Sequence, residues 1–423
     1  MRILLALALG VAVATPLYAQ TDSAALMRRA LRLHRAVPMV DGHNDLAETV
    51  VGHFGSSWDS ANIAQPVPAL MTDIPRLRAG GVGAQFWSIF VAPDAAARRG
   101  ALRLTLEQID LMTQMVARWP GTFAMARTAA DIERIHRQHR VAALFGVEGG
   151  HSMENSLGVL RELYELGVRY MTLTWNNGQA WADANSDTVR AGGLSPFGRE
   201  VVREMNRLGM LVDLAHVSDS TMVQAMRVSA APVIFSHSSA RALVNVPRDV
   251  PDAILRMVRD NGGIVMVNFY CYFVDSAMAR YGTARDTRER DLRAQFGPDT
   301  AGVRAAFQAW TAANPPPPPP GIGAVADHID HIRDVAGIDH VGYGSDFDGI
   351  DCAPQGLSDV SMFPRLTAEL LRRGYSDGDA KKVIGLNFLR VMRQDERVSA
   401  RLRRERGPSP ATLAGMDSSA TRR

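Results

Sequence analysis

Eight short apolar runs, each followed by a stretch patterned for a helix, constrain this chain more than any other feature of its 423 residues. The runs are the stretch through Val40 that ends at Asp45, then 83–91, 141–148, 170–174, 211–216, 233–237, 263–269 and 340–346. Helical patterns precede and separate them, among them 21–35, 71–80, 102–119, 130–138, 157–166, 198–208, 220–228, 252–261, 324–336 and a final region over 366–393. Nearly continuous apolar strands alternating with amphipathic helices predict a parallel sheet covered by helices. Eight is the number of strands that closes a (β/α)8 TIM-type barrel. The alternative, a doubly wound open sheet, lacks a Gly-x-Gly-x-x-Gly turn after the first strand.

Polar residues collect where these runs end: His43, Asp45, Glu148, His216, His237 and Asp346. On a barrel, that is the face that carries chemistry. Within Pro38–Leu46, His43 and Asp45 stand two apart, so an extended strand points both to one face. Gly42 leaves the backbone free to turn there. Taken alone, a histidine such as His216 or His237 reads more readily as a hydrogen-bonded core residue. Glu148 does not, because a carboxylate closing an apolar run is costly unless paired or metal-bound. Histidines and carboxylates converging from five strand ends suit two zinc ions, with manganese or cobalt as substitutes. Two ions about 3.5–4 Å apart share a water, lower its pKa and polarise a carbonyl. Glu148 suits a bridging ligand, and Asp346 a general base that later protonates the leaving amine.

Composition bounds the rest. The net charge is +3, and no basic stripe is interleaved with aromatics, which argues against nucleic acid. Residues 1–19 pair one arginine with an apolar run and end at Ala19, the pattern of a cleaved secretory signal. No cysteine follows the cut and no apolar tail closes the chain, so no stable membrane anchor is expected and the protein is read as exported, periplasmic or secreted. Residues 20–400 then form one domain. Cys271 and Cys352 are the sole cysteines; one disulfide or two buried thiols fit equally well. Residues 278–323, charged and then Pro-rich through Pro315–Pro320, read as a surface insertion before the last strand, since a proline run cannot join a helix. Residues 401–423 read as a flexible charged tail.

Several ordered motifs resemble the membrane (renal) dipeptidase family of the metal-dependent amidohydrolase superfamily. They are Asp41-Gly-His-Asn-Asp-Leu46, Gly146-Val-Glu-Gly-Gly-His-Ser152, Tyr170-Met-Thr-Leu-Thr174, Phe235-Ser-His-Ser-Ser-Ala240, Pro247-Arg-Asp-Val-Pro-Asp252 and Gly344-Ser-Asp-Phe-Asp-Gly349. The resemblance runs from about Val40 to Arg393. It implies a binuclear zinc peptidase for dipeptides, tolerant of a C-terminal D-residue and commonly homodimeric. His43 and Asp45 would hold one zinc, His216 and His237 the other, and Glu148 would bridge them. Asp346 would be the acid/base residue. Arg248 would grip the substrate carboxylate, a bidentate match for guanidinium.

One position departs from the family. Its Tyr-x-Thr-Leu-Thr strand is often followed by a histidine that contacts the scissile carbonyl, and here Trp175 stands there, followed by Asn176 and Asn177. Tryptophan offers only an N–H and great bulk. Trp175, Asn176 and Tyr270 are taken as substrate contacts, and His151 either compensates for the missing histidine or steadies Glu148. Two other readings stay open: another binuclear amide hydrolase acting on N-acyl-amino acids or cyclic amides, or an exported binding protein without turnover.

Overall fold

The computed structural model describes residues 23–417; the signal-like run over 1–19 lies outside them. Among the described residues the apolar runs form β1 (Met39–Asn44), β2 (Val82–Phe90), β3 (Phe123–Met125), β4 (Val141–Glu148), β5 (Val168–Thr172), β6 (Leu211–Asp213), β7 (Ile234–Phe235), β8 (Ile264–Val267) and β9 (Val341–Tyr343). All neighbours pair in parallel, in the order β2-β1-β9-β8-β7-β6-β5-β4, and β2 pairs with β4 to close the ring. The eight expected strands are therefore the barrel. The short β3 is an addition that runs beside the start of β4, with Phe123 opposite Val141 and Met125 opposite Ala143. It also displaces β5, which joins the same edge of β4 only from Phe145 onward.

Strand period divides each run between two cores. From β4, Ala142 and Leu144 join Val40, Phe86, Tyr170, Leu211 and Met266 inside the barrel, with Phe388 and Met392 packed against them. Val141, Ala143, Phe145 and Val147 face the helical layer instead. Glu148 has the same parity as Ala142 and Leu144, so β4 delivers its carboxylate to the barrel interior at the C-terminal end.

The first strand does not keep its phase. Asp41 pairs with Gln85 and Asn44 with Trp87, three residues against two, which marks a bulge. Val40 points inward and the extra residue turns His43 inward as well. β1 then stops at Asn44, and Asp45 stands at the N-cap of helix Leu46–Phe54. His43 and Asp45 thus meet across a strand-to-helix junction and not along one extended strand. Gly42 is also needed for a different reason than a free turn. A Cβ there would lie 2.3 Å from the Ser236 carbonyl oxygen and 2.7 Å from Met266 Sδ, so only glycine fits at this level of the barrel.

The insertion before the last strand is more ordered than its composition suggests. It contains two helices, Ser276–Phe296 and Thr300–Ala313, and extended, largely exposed Pro315–Pro320. Asp275 caps the first by accepting from Ala277 N and Met278 N, and Asp299 caps the second through Gly302 N. Charge on most faces hides the first of these helices from the sequence, whereas the second, Ala-rich and with Arg304 its sole charge, is hidden by the proline run that follows it. The C-terminal stretch also has defined contacts: the last long helix runs Asn387–Glu405, and the Asp417 carboxylate accepts from Ser195 Oγ at 2.6 Å and Phe197 N at 2.9 Å.

Cys271 and Cys352 are joined. The bond ties the helix Cys271–Val274, directly after Tyr270, to the loop beyond β9, and the Cys271 N–H donates to the Cys352 carbonyl. It closes a sequence separation of 81 residues, a loop for which a crosslink typically contributes about 2–4 kcal/mol. The double substitution Cys271→Ala/Cys352→Ala is expected to lower the thermal unfolding midpoint by a few degrees, followed by circular dichroism; an unchanged midpoint would mean that the link adds nothing to stability.

Candidate metal centre

Three imidazoles and three carboxylates meet at the C-terminal mouth of the barrel, and the partners of each ring decide which nitrogen is free. His43 Nδ1 lies 2.8 Å from Tyr170 Oη, whose own proton goes to the Gly42 carbonyl at 3.2 Å. Nδ1 therefore acts as the donor, which leaves Nε2 to carry either a proton or a metal. His216 Nδ1 donates to Asn176 Oδ1 at 2.9 Å. His237 Nδ1 donates to Ser236 Oγ at 2.8 Å, because that hydroxyl already donates to Asp213 Oδ2 at 2.5 Å. All three Nε2 atoms are turned towards Glu148, where each can carry either a proton or a metal.

His43 Nε2 is 3.4 Å from Glu148 Oε2 and 3.3 Å from Asp45 Oδ2. It is buried without a hydrogen-bond partner. His216 Nε2 is 2.8 Å from Glu148 Oε1 and 3.0 Å from His237 Nε2. His237 Nε2 is 3.6 Å from the same Oε1. Two imidazole lone pairs facing each other at 3.0 Å beside a buried carboxylate repel unless a proton or cation lies among them. The donor set is the nitrogen-and-oxygen kind that suits zinc, and the two Glu148 oxygens face different histidines. The residues fit a metal. Ligand atoms of His43, Glu148 and His237 fall within 4.8 Å of one another, as do those of His43, Asp45 and Asp346.

Electrostatics follow from the same arrangement. Burial opposes ionisation of Glu148, but His43 and the hydrogen bonds of His216 and His237 outweigh it and hold the carboxyl well below its usual range. Burial, with Arg248 adding to it, lowers His216 to about 4. Burial and then the Asp45 charge push Asp346 well above the usual carboxylate range. Asp346 is also steered by Asn268, whose Nδ2 donates to Oδ2 at 2.9 Å. His216 and Asp346 adopt left-handed backbone angles, φ +66° and +65°. For non-glycine residues this costs on the order of 1–3 kcal/mol each, and such strain clusters at functional sites.

Above the ligands lies a cavity of about 190 Å³ whose walls include Glu48, Trp175, Asn176, Arg248, Tyr270 and Phe273. Arg248 is buried, donates from Nη1 to Ser238 Oγ at 2.7 Å, and has no partner for Nε or Nη2. Trp175 packs its ring 4.9 Å from Phe90 and 6.1 Å from His216. Of the residues singled out in the sequence for ligation, acid/base work or substrate contact, all line this one space except His43, which is fully buried against Asp45 and Glu148. His151 takes neither part suggested for it: its Nε2 bonds to the Val91 carbonyl at 2.8 Å, not to Glu148.

Sequence reasoning missed the supports. Tyr170, Asp213, Ser236 and Asn268 orient the ligands and Asp346, and Glu48 is an added carboxyl on the wall. Asp213 was findable, since a carboxylate inside Leu211-Val-Asp-Leu214 raises the same cost argument as Glu148. Tyr170→Phe removes the hydroxyl that fixes His43. It is expected to weaken metal binding about 10–100-fold with the fold intact, measured by competition with a chelator; unchanged affinity would remove Tyr170 from the metal centre.

The geometry agrees with comparisons to known proteins. The membrane dipeptidase model (peptidase family M19) matches residues 27–406. Dipeptidase verJ of Clonostachys rogersoniana is 40% identical over 387 residues, covering 89% of each chain. Dipeptidase 3 of Mus musculus is 40% identical over 378 residues, 88% of this chain and 67% of that protein. Among solved structures, the probable dipeptidase PvdM from Pseudomonas aeruginosa superposes with a TM-score of 0.77 at 24% identity, covering 89% of this chain and 99% of that one. A metallo peptidase from Rhodobacter sphaeroides, liganded with a phosphinate mimic of the dipeptide L-Ala-D-Ala, gives a TM-score of 0.68 at 25% identity, with 85% and 99% covered. With a closed parallel barrel, a histidine–carboxylate metal centre and these relatives, the chain belongs to the membrane dipeptidase family of metallo-dipeptidases, peptidase family M19.

Proposed function

We propose that this metallo-dipeptidase is binuclear and zinc-dependent and cleaves free dipeptides, including those with a C-terminal D-residue. The observation that carries the reading is the set of three Nε2 atoms shared between the two Glu148 oxygens. His43 and Asp45 would hold one ion and His216 and His237 the other, with Glu148 contributing to both. When bound, such ions would acidify a water and polarise the scissile carbonyl.

The chain's own residues do the rest. Arg248 presents Nε and Nη2 to the substrate carboxylate, and burial makes that charge pair strong. Asp346, steered by Asn268, accepts a proton during attack and returns it to the leaving amine. Trp175 forms an apolar wall where the family often has a histidine donor. Asn176 has its Oδ1 engaged by His216 and keeps Nδ2 as a donor at the cavity, the available replacement at the carbonyl. Tyr270 closes the side opened by β8. The same reading takes the protein as exported through its N-terminal apolar run and as a homodimer like its family. No helix among the described residues is long and apolar enough to cross a membrane.

Metal analysis together with hydrolysis of L-Ala-L-Ala, L-Ala-D-Ala and an N-acetylated control tests the assignment. Two zinc per chain with cleavage of the free dipeptides alone is the expected result. Cleavage of the N-acetyl compound alone moves the activity to acyl-amino-acid hydrolysis, and none at all favours a binding protein in which Trp175 removed turnover. His216→Ala should lose one metal equivalent and nearly all activity. Asp346→Asn should keep both metals and lose about 10²–10⁴ in kcat; loss of a metal in that variant would overturn its acid/base role.

A further inference from the structure

The substrate cavity contains four carboxyl groups: Asp45, Glu48, Glu148 and Asp346. Three have tasks. Asp45 and Glu148 lie against His43 Nε2 in the metal centre, and Asp346 is bonded to Asn268. Glu48 has none: its carboxyl makes no hydrogen bond or ion pair among the described residues. It sits in the first turn of helix Leu46–Phe54, three residues after Asp45, so the helix returns it to the same side. Its side chain is partly buried, which removes part of its water without supplying a partner.

A dipeptide is a zwitterion at neutral pH, with one carboxylate and one ammonium. The wall residue that suits the carboxylate is Arg248, also with unpartnered donors. An ammonium needs a carboxylate that is neither committed to metal nor consumed by proton transfer. We propose that Glu48 is a specificity-determining residue that receives the free α-ammonium group of the substrate. The proposal rests on the dipeptidase reading and adds to it the reason a free amino terminus is selected. Burial first, then Asp45 and Glu148, raise the Glu48 carboxyl to about 8. Cations held by Asp45 and Glu148 cancel that like charge, and an arriving ammonium does the same from the substrate side. An N-acyl substrate offers no cation, and a partly desolvated carboxylate left facing an amide is a penalty that rejects it.

The test is calorimetric binding of two probes to the metal-loaded protein: a phosphinate mimic of L-Ala-D-Ala and the same compound lacking its amino group. Wild type should prefer the amino compound by about 10- to 100-fold, the range for a charged hydrogen bond. Glu48→Gln should abolish that preference by weakening the amino compound alone, with metal content unchanged; Glu48→Asp should restore part of it. Equal weakening of both probes, or a preference that survives Glu48→Gln, overturns the proposal while leaving dipeptidase activity, assayed separately on L-Ala-D-Ala, untouched. A Glu48-dependent preference in a protein that cleaves no dipeptide would keep the proposal and sink the catalytic reading. Failure of wild type to distinguish the probes, or to bind either, overturns the role of Glu48 outright.

Discussion

Everything at the mouth of this barrel depends on one buried carboxylate facing three imidazole nitrogens. Glu148 has both oxygens occupied, Oε2 towards His43 and Oε1 towards His216 and His237. A buried anion among neutral rings is tolerated only if something positive joins it. That requirement selects the tautomer of each ring. It also explains why every Nδ1 is held by a different support: a tyrosine hydroxyl, an asparagine oxygen and a serine backed by an aspartate. A metal centre assembled in this way is preorganised before any ion arrives, because its ring orientations are set by the outer hydrogen bonds.

The barrel makes the arrangement possible by bringing far-apart chain segments to one ring. Tyr170 from β5 crosses the interior to reach His43 on β1, and it has room to do so because Gly146 carries no side chain. A Cβ at that glycine would lie 2.0 Å from the Tyr170 ring. Asp41 ties the other flank: it accepts from Ser345 N and Oγ at 2.7 and 2.6 Å and from Gln85 Nε2 at 2.8 Å, linking β1 to the strands on both its sides. These buried polar bonds brace the site from below. The rim is held separately. The Cys271–Cys352 bond joins the segment carrying Tyr270 and Phe273 to the segment carrying Gly349 and Ile350, and all four of those residues line the cavity.

On the proposed reading the cavity holds the two groups that would match a dipeptide's ends. Arg248 keeps guanidinium donors without partners, and Glu48 stands on the same wall. Neither is among the proposed metal ligands, so recognition and chemistry would be divided between different side chains. Trp175 makes the wall between them apolar and leaves Asn176 both to hold His216 and to face the substrate. One asparagine thereby couples the geometry of the metal centre to that of the substrate.

The sequence by itself determined the eight barrel strands, the face on which chemistry collects and the histidines and carboxylates that meet there. Apolar runs with a carboxylate or histidine at their ends are costly anywhere except a shared polar site, and that cost is visible residue by residue. It also carried the family motifs and the departure at Trp175. What only the tertiary structure decided were contacts between segments whose separation no pattern reveals: the Tyr170–His43 bond across 127 residues, the Asp213–Ser236–His237 relay and the pairing of the two cysteines. The bulge that turns His43 inward was equally hidden, because the phase of a strand depends on its neighbour's register and not on its own alternation. The first helix of the insertion escaped detection because its charges cover most faces, while its packing against the Cys271–Val274 segment and against the second helix is a tertiary fact. A Cβ at Gly282 would lie 2.5 Å from the Tyr272 ring, so a close approach that no local pattern encodes holds that hairpin beside the cavity.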